Sequence, residues 1–532
     1  MNLSDLPRGR RGAALIGLPL VGVLALAGCS GGGSNADSDS AAGGSFVYAI
    51  ATDVGSLDPH LGATSAAFAA SKFAYDSLVN LDADGVLSTG LASEWAVDGT
   101  TVSFTLRDDV TCADGTPFTA STAKGNIDFI ADPENASPLL GAFVPAGVTA
   151  EADDEAGTLT LTLAAPAPFV VEGLAQVAMV CDAGLADRST LVEGTDGTGP
   201  YTVAEVASND HYSYEVRDGY AWGPDGATTD EPGMPASVEL RVVPNETTAA
   251  NLLLSGDVNA ALVIGPDAER LAGKEAFDSQ AITGETWFNQ AAGRVTADLA
   301  VRTALAQALD LDELANVITS GTGVRATQLA VAAPAACVGG DFTSALPESG
   351  ADQAAATLEA AGWAKSGDGW SKDGAPLAVT FIHDSALGTG GAAAAELAVA
   401  AWTELGVQVD ASTMPTDEVS GVMFGGGDWD LIWEPLNVNT PDQLLGFLTG
   451  PTPADGGVNF ASIANADYEA TATAAMGLVG TDSCDTWFEA EQALVGNVDV
   501  LPFASNVLTV FGNGAEFTGS DSIEPTSIRL QQ

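Results

Sequence analysis

Hydrophobic and polar positions in the later half of the chain alternate between helix-like and strand-like spacing. Segment 392–405 has the period of a helix, is rich in Ala, Leu and Glu, and is followed by Gly406, a typical left-handed helix cap. Short apolar runs that predict strands lie on both sides of it, at 377–382, at 407–409 and, after a glycine loop at 425–427, at 431–433. This β-α-β alternation predicts a mainly parallel sheet with helices on its faces.

Further helices are predicted upstream of these strands. Asp310 and Glu313 form a capping box for a helix that runs to Gly321. An earlier helix is predicted because Val301, Leu305 and Leu309 fall on one helical face. A further helix is predicted at 352–361. The part of the chain from about 285 to 500 is therefore predicted to be α/β.

The earlier half has a different pattern. Segments 101–107, 158–163 and 211–216 alternate like strands, and turns are predicted at Asp98-Gly99, at Asp114-Gly115 and at Gly197. This half is predicted to be richer in antiparallel sheet.

The first residues have the pattern of an export signal. Three arginines, at 8, 10 and 11, precede an apolar run at 13–26 that is too short to span a bilayer. The run ends in Leu-Ala-Gly-Cys, which resembles the bacterial lipobox, in which the cysteine receives a lipid. We therefore expect a signal peptide at 1–28, a lipid anchor at Cys29 and a flexible tether over 29–45. An ordinary secretory signal is the alternative, and export by the Sec or the twin-arginine route stays open.

Composition restricts the partners of this chain. Its 71 acidic and 17 basic residues give a formal net charge of -54, so nucleic acid and anionic lipid surfaces would be repelled. The nearly 500 residues after the tether, in a chain with 46% hydrophobic content, are enough for more than one lobe.

No motif assembles a catalytic or metal site. The three histidines, at 60, 211 and 383, are far apart, and no HExxH or Cys-x-x-Cys occurs. Residues 28–32 match the hydrolase pattern GxSxG only within the lipobox and tether. A dinucleotide-like run at 321–326 follows a helix, which favours a loop, and 82–85 favours a hairpin turn over a calcium site. We expect no catalysis, no cofactor and no bound metal.

Several short motifs along the chain resemble the extracellular solute-binding proteins of family 5, which serve ABC importers of peptides and nickel. They occur in the family's order, at 56–60 (SLDPH), 75–79 (YDSLV), 91–95 (LASEW), 104–107 (FTLR), 114–120 (DGTPFTA), 197–201 (GTGPY) and 301–310 (VRTAL with ALD). The resemblance implies a periplasmic-binding-protein-like α/β fold, with two hinged lobes and an extra domain inserted in the first. It places the first lobe at 46–75, 191–285 and 501–532, the inserted domain at 76–190 and the second lobe at 286–500.

Disulfides are expected because four cysteines remain after Cys29 in an exported chain. Three pairings are possible. We favour Cys112 with Cys181 and Cys337 with Cys484, because each pair then stays within one predicted lobe.

The ligand is expected beyond the carboxyl ends of the strands, as in other open α/β sheets. This rule selects His383 and Asp384 after one strand and Trp433, Glu434 and Asn437 after another. The resemblance implies a carboxylate that pairs with the α-ammonium of a peptide near Glu434, with Asp442 as the alternative. It also places three residues where the chain enters the second lobe, near the cleft: Trp287, Phe288 and Asn289.

The function implied by the resemblance is capture of a solute, favouring a peptide, and its delivery to ABC permease subunits. The scarcity of Lys and Arg favours a neutral or cationic ligand. We expect a monomer, held by its lipid on the outer face of the cytoplasmic membrane. The alternatives are a sensory or adhesive lipoprotein of the same fold and an exported hydrolase.

Overall fold

The computed structural model describes residues 43–62, 64–367 and 369–531. The predicted signal peptide, the predicted anchor at Cys29 and nearly all of the predicted tether lie outside these ranges. None of the helices within them combines the length and the apolar composition that a membrane span requires.

The predicted inserted domain, 76–190, contains a small antiparallel sheet with helices packed against it. The elements before and within it are β1 (Ser45–Ile50), α1 (Ser65–Ala74), β2 (Val79–Leu81), β3 (Leu87–Thr89), β4 (Ala92–Asp98), β5 (Thr101–Leu106), α2 (Ala120–Ala131), β6 (Thr149–Asp153), β7 (Thr158–Thr162), α3 (Val170–Leu174) and α4 (Asp182–Ala186). The sheet has the order β4-β5-β7-β6, and every neighbouring pair is antiparallel. β2 and β3 form a hairpin around 82–85, as predicted. A disulfide joins Cys112 to Cys181.

The next part of the chain completes one half of a ten-stranded sheet. Its elements are β8 (Tyr201–Ala207), β9 (His211–Val216), β10 (Ser237–Val242), α5 (Glu246–Ser255), β11 (Ala260–Leu262) and the long β12 (Glu275–Phe288). β10 and β11 flank β1 and run parallel to it, whereas β8, β9 and β10 are antiparallel neighbours.

The predicted second lobe, 286–500, alternates helices and strands as its hydrophobic pattern indicates. Its elements and those that follow are α6 (Leu299–Gln307), α7 (Leu311–Ile318), α8 (Ala351–Ala360), β13 (Ala364–Ser366), β14 (Gly369–Lys372), β15 (Ala375–Pro376), β16 (Ala378–Asp384), α9 (Gly388–Leu405), β17 (Gln408–Met414), α10 (Thr416–Gly425), β18 (Leu431–Trp433), α11 (Leu445–Leu448), α12 (Ala466–Ala475), α13 (Cys484–Gly496), β19 (Val500–Gly512), β20 (Ala515–Glu516) and β21 (Arg529–Leu530). A second disulfide joins Cys337 to Cys484. Both disulfides have the pairing that the sequence analysis favoured.

Three details of this half differ from the sequence prediction. A helix, α10, stands where only the glycine loop at 425–427 was predicted, and Gly425 is its last residue. Asp310 caps α7 by accepting hydrogen bonds from the N–H groups of Asp312 and Glu313, but the helix ends at Ile318, ahead of Gly321. The sheet is mixed, because β16, β17 and β18 are parallel whereas β12 and β19 are antiparallel to their neighbours.

A two-stranded ribbon of β12 and β19 connects the two lobes. The large sheet has the order β17-β16-β18-β12-β19-β11-β1-β10-β9-β8, so this ribbon lies in its centre. Its register shifts on both sides of Gly284, and a Cβ atom at Gly284 would meet the ring of Phe503 at 2.3 Å. An irregular, closely packed point in an otherwise continuous ribbon is where bending between lobes is expected. The domain boundaries given by the sequence stay a prediction.

A buried ion pair anchors the start of β19 in the second lobe. Asp499 is fully buried, and its carboxylate accepts hydrogen bonds from Gln290, Asn465, Asn497 and Arg302. Arg302 on α6 also donates to four backbone carbonyls, those of Thr296, Ala297, Asn497 and Val498. Every polar atom of Asp499 therefore has partners, which is what allows a charge to be buried here.

Candidate ligand-binding site

A cavity of about 880 Å³ lies between the two lobes, next to the ribbon. β16 and β18 end at it from the second lobe, and β10 and β11 end at it from the first. Its lining comes from Pro244–Thr247, Ile264–Asp267, Ile282, Thr283, Ile318–Ser320, Thr322, Asp384, Ala386–Gly390, Thr416, Glu434, Pro435, Asn506 and Val507. The cavity thus lies at the carboxyl ends of parallel strands in both lobes, the usual ligand position in open α/β sheets.

Four carboxyl groups line this cavity, two from each lobe. Glu246 and Asp267 belong to the first lobe, and Asp384 and Glu434 belong to the second; among the described residues that line the cavity, none is Lys or Arg. Thr247 donates to the carboxylate of Asp267, and Arg270, which is not part of the lining, donates to the same carboxylate at 2.6 Å. These hydrogen bonds hold the pKa of Asp267 below its usual value, whereas burial, followed by the charge of Asp267, raises the pKa of Glu246. The cavity is therefore acidic.

Asp384 and Glu434 both line the cavity on the second lobe, and each shifts the pKa of the other. Burial raises the pKa of Glu434 to about 8, and its hydrogen bond to Asp384 and the charge of Asp384 contribute to the shift. Burial alone would also raise the pKa of Asp384, but hydrogen bonds from the Ala386 N–H, Thr416 and Glu434 hold it below its usual value. At neutral pH, Glu434 is thus the proton donor and Asp384 the charged acceptor.

The aromatic residues predicted as ligand contacts are part of the core. Trp287, Phe288 and Trp433 are at most 1% exposed, and none of them lines the cavity. β18 lies between β16 and β12 in the large sheet, and all three of its residues are buried. Trp433 therefore points into the core, where it packs edge-on against Phe381. The predicted ligand contact of these three residues stays a prediction, because the structure contains no ligand. Trp287 does have an indirect role, because its indole N–H donates to the carbonyl of Glu434 at 3.0 Å.

His383 and Asn289 are also engaged inside the protein. The Nε2 atom of His383 is 2.9 Å from the hydroxyl of Thr413, and burial lowers the pKa of this histidine although the charge of Asp384 opposes the shift. Asn289 donates to the carbonyl of Trp429 and accepts from the N–H of Ala291. Neither side chain lines the cavity, and the ligand contact predicted for both stays a prediction.

Asn437 supports the ribbon instead of lining the cavity. Its amide oxygen accepts from the N–H of Ile282 at 2.7 Å, and its amide nitrogen donates to the carbonyl of Ile282 at 3.0 Å. This pair of bonds satisfies the β12 backbone beside the register shift at Gly284. Asn437 is therefore a residue that fixes the ribbon, and its predicted contact with ligand stays a prediction, which the substitution below tests.

Replacing Asn437 with alanine is expected to lower the free energy of unfolding by about 1–2 kcal/mol, because two hydrogen bonds to Ile282 are lost. Ligand affinity should change less than about threefold, since the side chain is not in the cavity. Chemical denaturation and calorimetric titration measure the two quantities. An affinity loss above tenfold with unchanged stability would show that the side chain binds ligand.

Asp384 and Glu434 are thus the two predicted residues that line the large cavity, and Asp442 lines a smaller one described below. The sequence analysis missed the first-lobe wall around Glu246 and Asp267. The signal was available, because the rule that selected Asp384 applies equally to residues that follow β10 and β11. Among the described residues, no group of three or more His, Cys, Asp and Glu side chains is arranged to hold a metal ion.

Two lobes joined by a bendable ribbon, with a cavity between them, are the architecture of a hinged solute-binding protein. A model of the bacterial extracellular solute-binding proteins, family 5 Middle, matches residues 86–455. This match covers more than half of the chain, and the chain belongs to that family.

Similarity to individual proteins agrees with the family. Protein XP55 of Streptomyces lividans is 28% identical over 306 residues, which are 55% of this chain and 53% of that protein. The nickel-binding periplasmic protein of Escherichia coli is 31% identical over 357 residues, 63% of this chain and 65% of that protein. The chain therefore spans less than two thirds of the length of these curated relatives.

A solved structure is similar over nearly the whole described fold. It is a crystal structure of a substrate binding protein from Microbacterium hydrocarbonoxydans complexed with 4-hydroxybenzoate hydrazide. It has a TM-score of 0.67 and 26% identity, and the match covers 92% of this chain and 100% of that chain.

Proposed function

We propose that the protein captures a solute outside the cytoplasm and delivers it to the permease subunits of an ABC importer, without chemistry on the solute. The observation that carries the proposal is the acidic cavity between the lobes, at the carboxyl ends of strands from both. Its volume of about 880 Å³ lies in the range of roughly 300–1,000 Å³ that is usual for ligand sites. Family membership supports the transport role.

The charges of the cavity favour a ligand with a positive group. A cation would gain from carboxylates on both lobes, and it would bring the lobes together by reducing their repulsion. A free carboxylate on the ligand would meet no Lys or Arg among the described lining residues. We therefore propose a peptide or another solute that presents an ammonium or guanidinium group to Asp384 and Glu434.

The predicted location completes the proposal. Cys29 would carry the lipid that holds the protein, as a monomer, on the outer face of the cytoplasmic membrane. The tether at 29–45 would leave the lobes free to reach the permease. Mass spectrometry of the membrane-extracted protein tests the anchor, since a Cys29→Ser variant should lose the lipid mass.

The solute class is tested by calorimetric titration of the purified protein with matched tripeptides. Lysine-containing tripeptides should bind more tightly than glutamate-containing ones by at least tenfold, with nickel chelates, sugars and simple amines completing the panel. Glu434→Gln should weaken binding of the preferred ligand by at least tenfold. Glu359→Gln, an exposed substitution on α8 outside the cavity lining, is the matched control and should leave affinity unchanged. Preferential binding of the acidic peptides would contradict the proposal.

A further inference from the structure

A second, smaller cavity lies apart from the large one, between the predicted inserted domain and the second lobe. Its volume is about 150 Å³. One wall comes from Leu81, Gly141–Phe143, Pro145, Ala167, Phe169, Val170, Glu172, Gly173 and Gln176, and the other from Pro334, Asn439, Thr440, Asp442 and Gln443. The two walls are held together nearby, because Gln443 donates to the carbonyl of Ala142 at 2.9 Å and the N–H of Gly480 donates to the carbonyl of Pro168 at 2.8 Å.

Glu172 is the unusual group in this cavity. The residue is 3% exposed, and apart from its own backbone N–H no described residue donates a hydrogen bond to its carboxylate. Its Oε1 atom lies against Gly480, where a Cβ atom would meet it at 2.7 Å. A buried carboxyl group whose only donor is its own backbone N–H is costly, and its position on a cavity wall makes it available to a ligand.

Asp442 on the opposite wall makes this cost larger. Its carboxylate accepts one side-chain hydrogen bond, from Thr440 at 2.5 Å, and its charge acts on Glu172 across the cavity. Burial, together with this repulsion, raises the pKa of Glu172 to about 7, and burial raises the pKa of Asp442. No Lys or Arg is among the described residues that line the cavity. Two lobes thus present like charges to each other at a point where they are in contact.

The other walls restrict the cation that can fill the space. Phe143 and Phe169 contribute aromatic surface, and Leu81, Val170 and Pro334 contribute aliphatic surface. Aromatic faces attract organic cations, whereas a hydrated metal ion would need oxygen ligands in place of these walls. A volume of about 150 Å³ accommodates a molecule of roughly the size of benzene.

We propose that this cavity binds a small alkylammonium group, which bridges Glu172 of the predicted inserted domain and Asp442 of the second lobe. The positive group neutralises two carboxylates that belong to opposite walls, and the alkyl part contacts the aromatic and aliphatic walls. Occupancy therefore strengthens contact between the inserted domain and the second lobe at a place other than the large cavity. The ammonium group can come from a free amine or from a side chain of a bound peptide.

The test is calorimetric titration of the purified protein with n-butylammonium chloride. We expect a saturable site whose affinity falls at least tenfold in Glu172→Gln and in Asp442→Asn, and is unchanged in Glu193→Gln, an exposed control. Butyrate should not bind, and 1-butanol should bind at least tenfold more weakly than butylammonium. Circular dichroism and thermal unfolding verify that each variant is folded.

Two further arms separate this site from the large cavity and identify the source of the ammonium group. Glu434→Gln should leave butylammonium binding intact, so that failure of the transport proposal would not remove this one. If a saturating lysine peptide blocks butylammonium, the peptide side chain fills the small cavity; if both bind, the occupant is a free amine. No binding, equal binding of butanol, or loss of binding in Glu434→Gln with retention in Glu172→Gln would overturn the proposal.

Discussion

Replacing Asp499 with alanine is expected to lower the free energy of unfolding by about 3–5 kcal/mol. The substitution leaves the guanidinium of Arg302 buried without its counter-charge, and it removes the acceptor for the amides of Gln290, Asn465 and Asn497. Asn465 is also the N-cap of α12, so the loss extends to that helix. Urea unfolding followed by the fluorescence of the buried tryptophans of the second lobe measures the change.

An exposed ion pair in the same lobe is the control for this effect. Arg325 and Asp312 are 2.8 Å apart, but the Asp312 side chain is 82% exposed. Asp312→Ala should cost less than about 1 kcal/mol, because solvent screens the pair. If Asp499→Ala costs no more than Asp312→Ala, the buried cluster does not stabilise the start of β19.

Affinity for a cationic ligand is expected to rise with pH, roughly tenfold per unit between about pH 6 and 8. In the empty cavity Glu434 holds a proton up to a pKa of about 8, first because it is buried and then because Asp384 and Glu285 are close. A bound cation favours the charged carboxylate, so binding must release this proton, and each lower pH unit makes the release less favourable. Above about pH 8 the proton is already gone and affinity should level off.

Calorimetry in buffers of different ionisation enthalpy measures the proton release directly. Close to one proton should leave per ligand at pH 7, and Glu434→Gln should remove both the release and the pH dependence. His383 is the other titratable group beside Asp384. Burial holds its pKa below its usual value, so it is not expected to release a proton between about pH 6 and 8. A pH profile that persists in Glu434→Gln would assign the proton to a different residue.

Most of the secondary structure could be predicted where the apolar residues have the spacing of either a helix or a strand. β18 and β9 begin and end at the residues that the sequence analysis predicted. α9 ends at Leu405 and is followed by the predicted cap Gly406, where the φ angle is +106°. α10 was missed because its sequence, TDEVSGVMFG, contains two glycines and buries only Val419 and Met423. Its weak apolar face resembles a loop until the neighbouring strands are in place.

The candidate site could be predicted only in part. The ends of β16 and β18 could be predicted from the sequence. The rule that ligands bind beyond the carboxyl ends of strands then selected Asp384 and Glu434, which line the cavity. The sequence does not tell which side of a central strand faces ligand, and Trp433 is buried because both faces of β18 are covered. Glu246 and Asp267 were missed because the sequence analysis predicted no strand at β10 or β11, so the rule was not applied there. Glu172 was missed because the small cavity brings together segments that are far apart along the chain.

The positions of the two disulfides have a consequence for the working cycle. Cys112–Cys181 lies within the predicted inserted domain and Cys337–Cys484 within the predicted second lobe, so neither crosses the large cavity. Each cross-link restricts the unfolded chain of its own body. A hinge motion at Gly284 would therefore leave both disulfides unchanged. The two disulfides therefore stabilise the inserted domain and the second lobe separately, and neither of them restricts a hinge motion at Gly284.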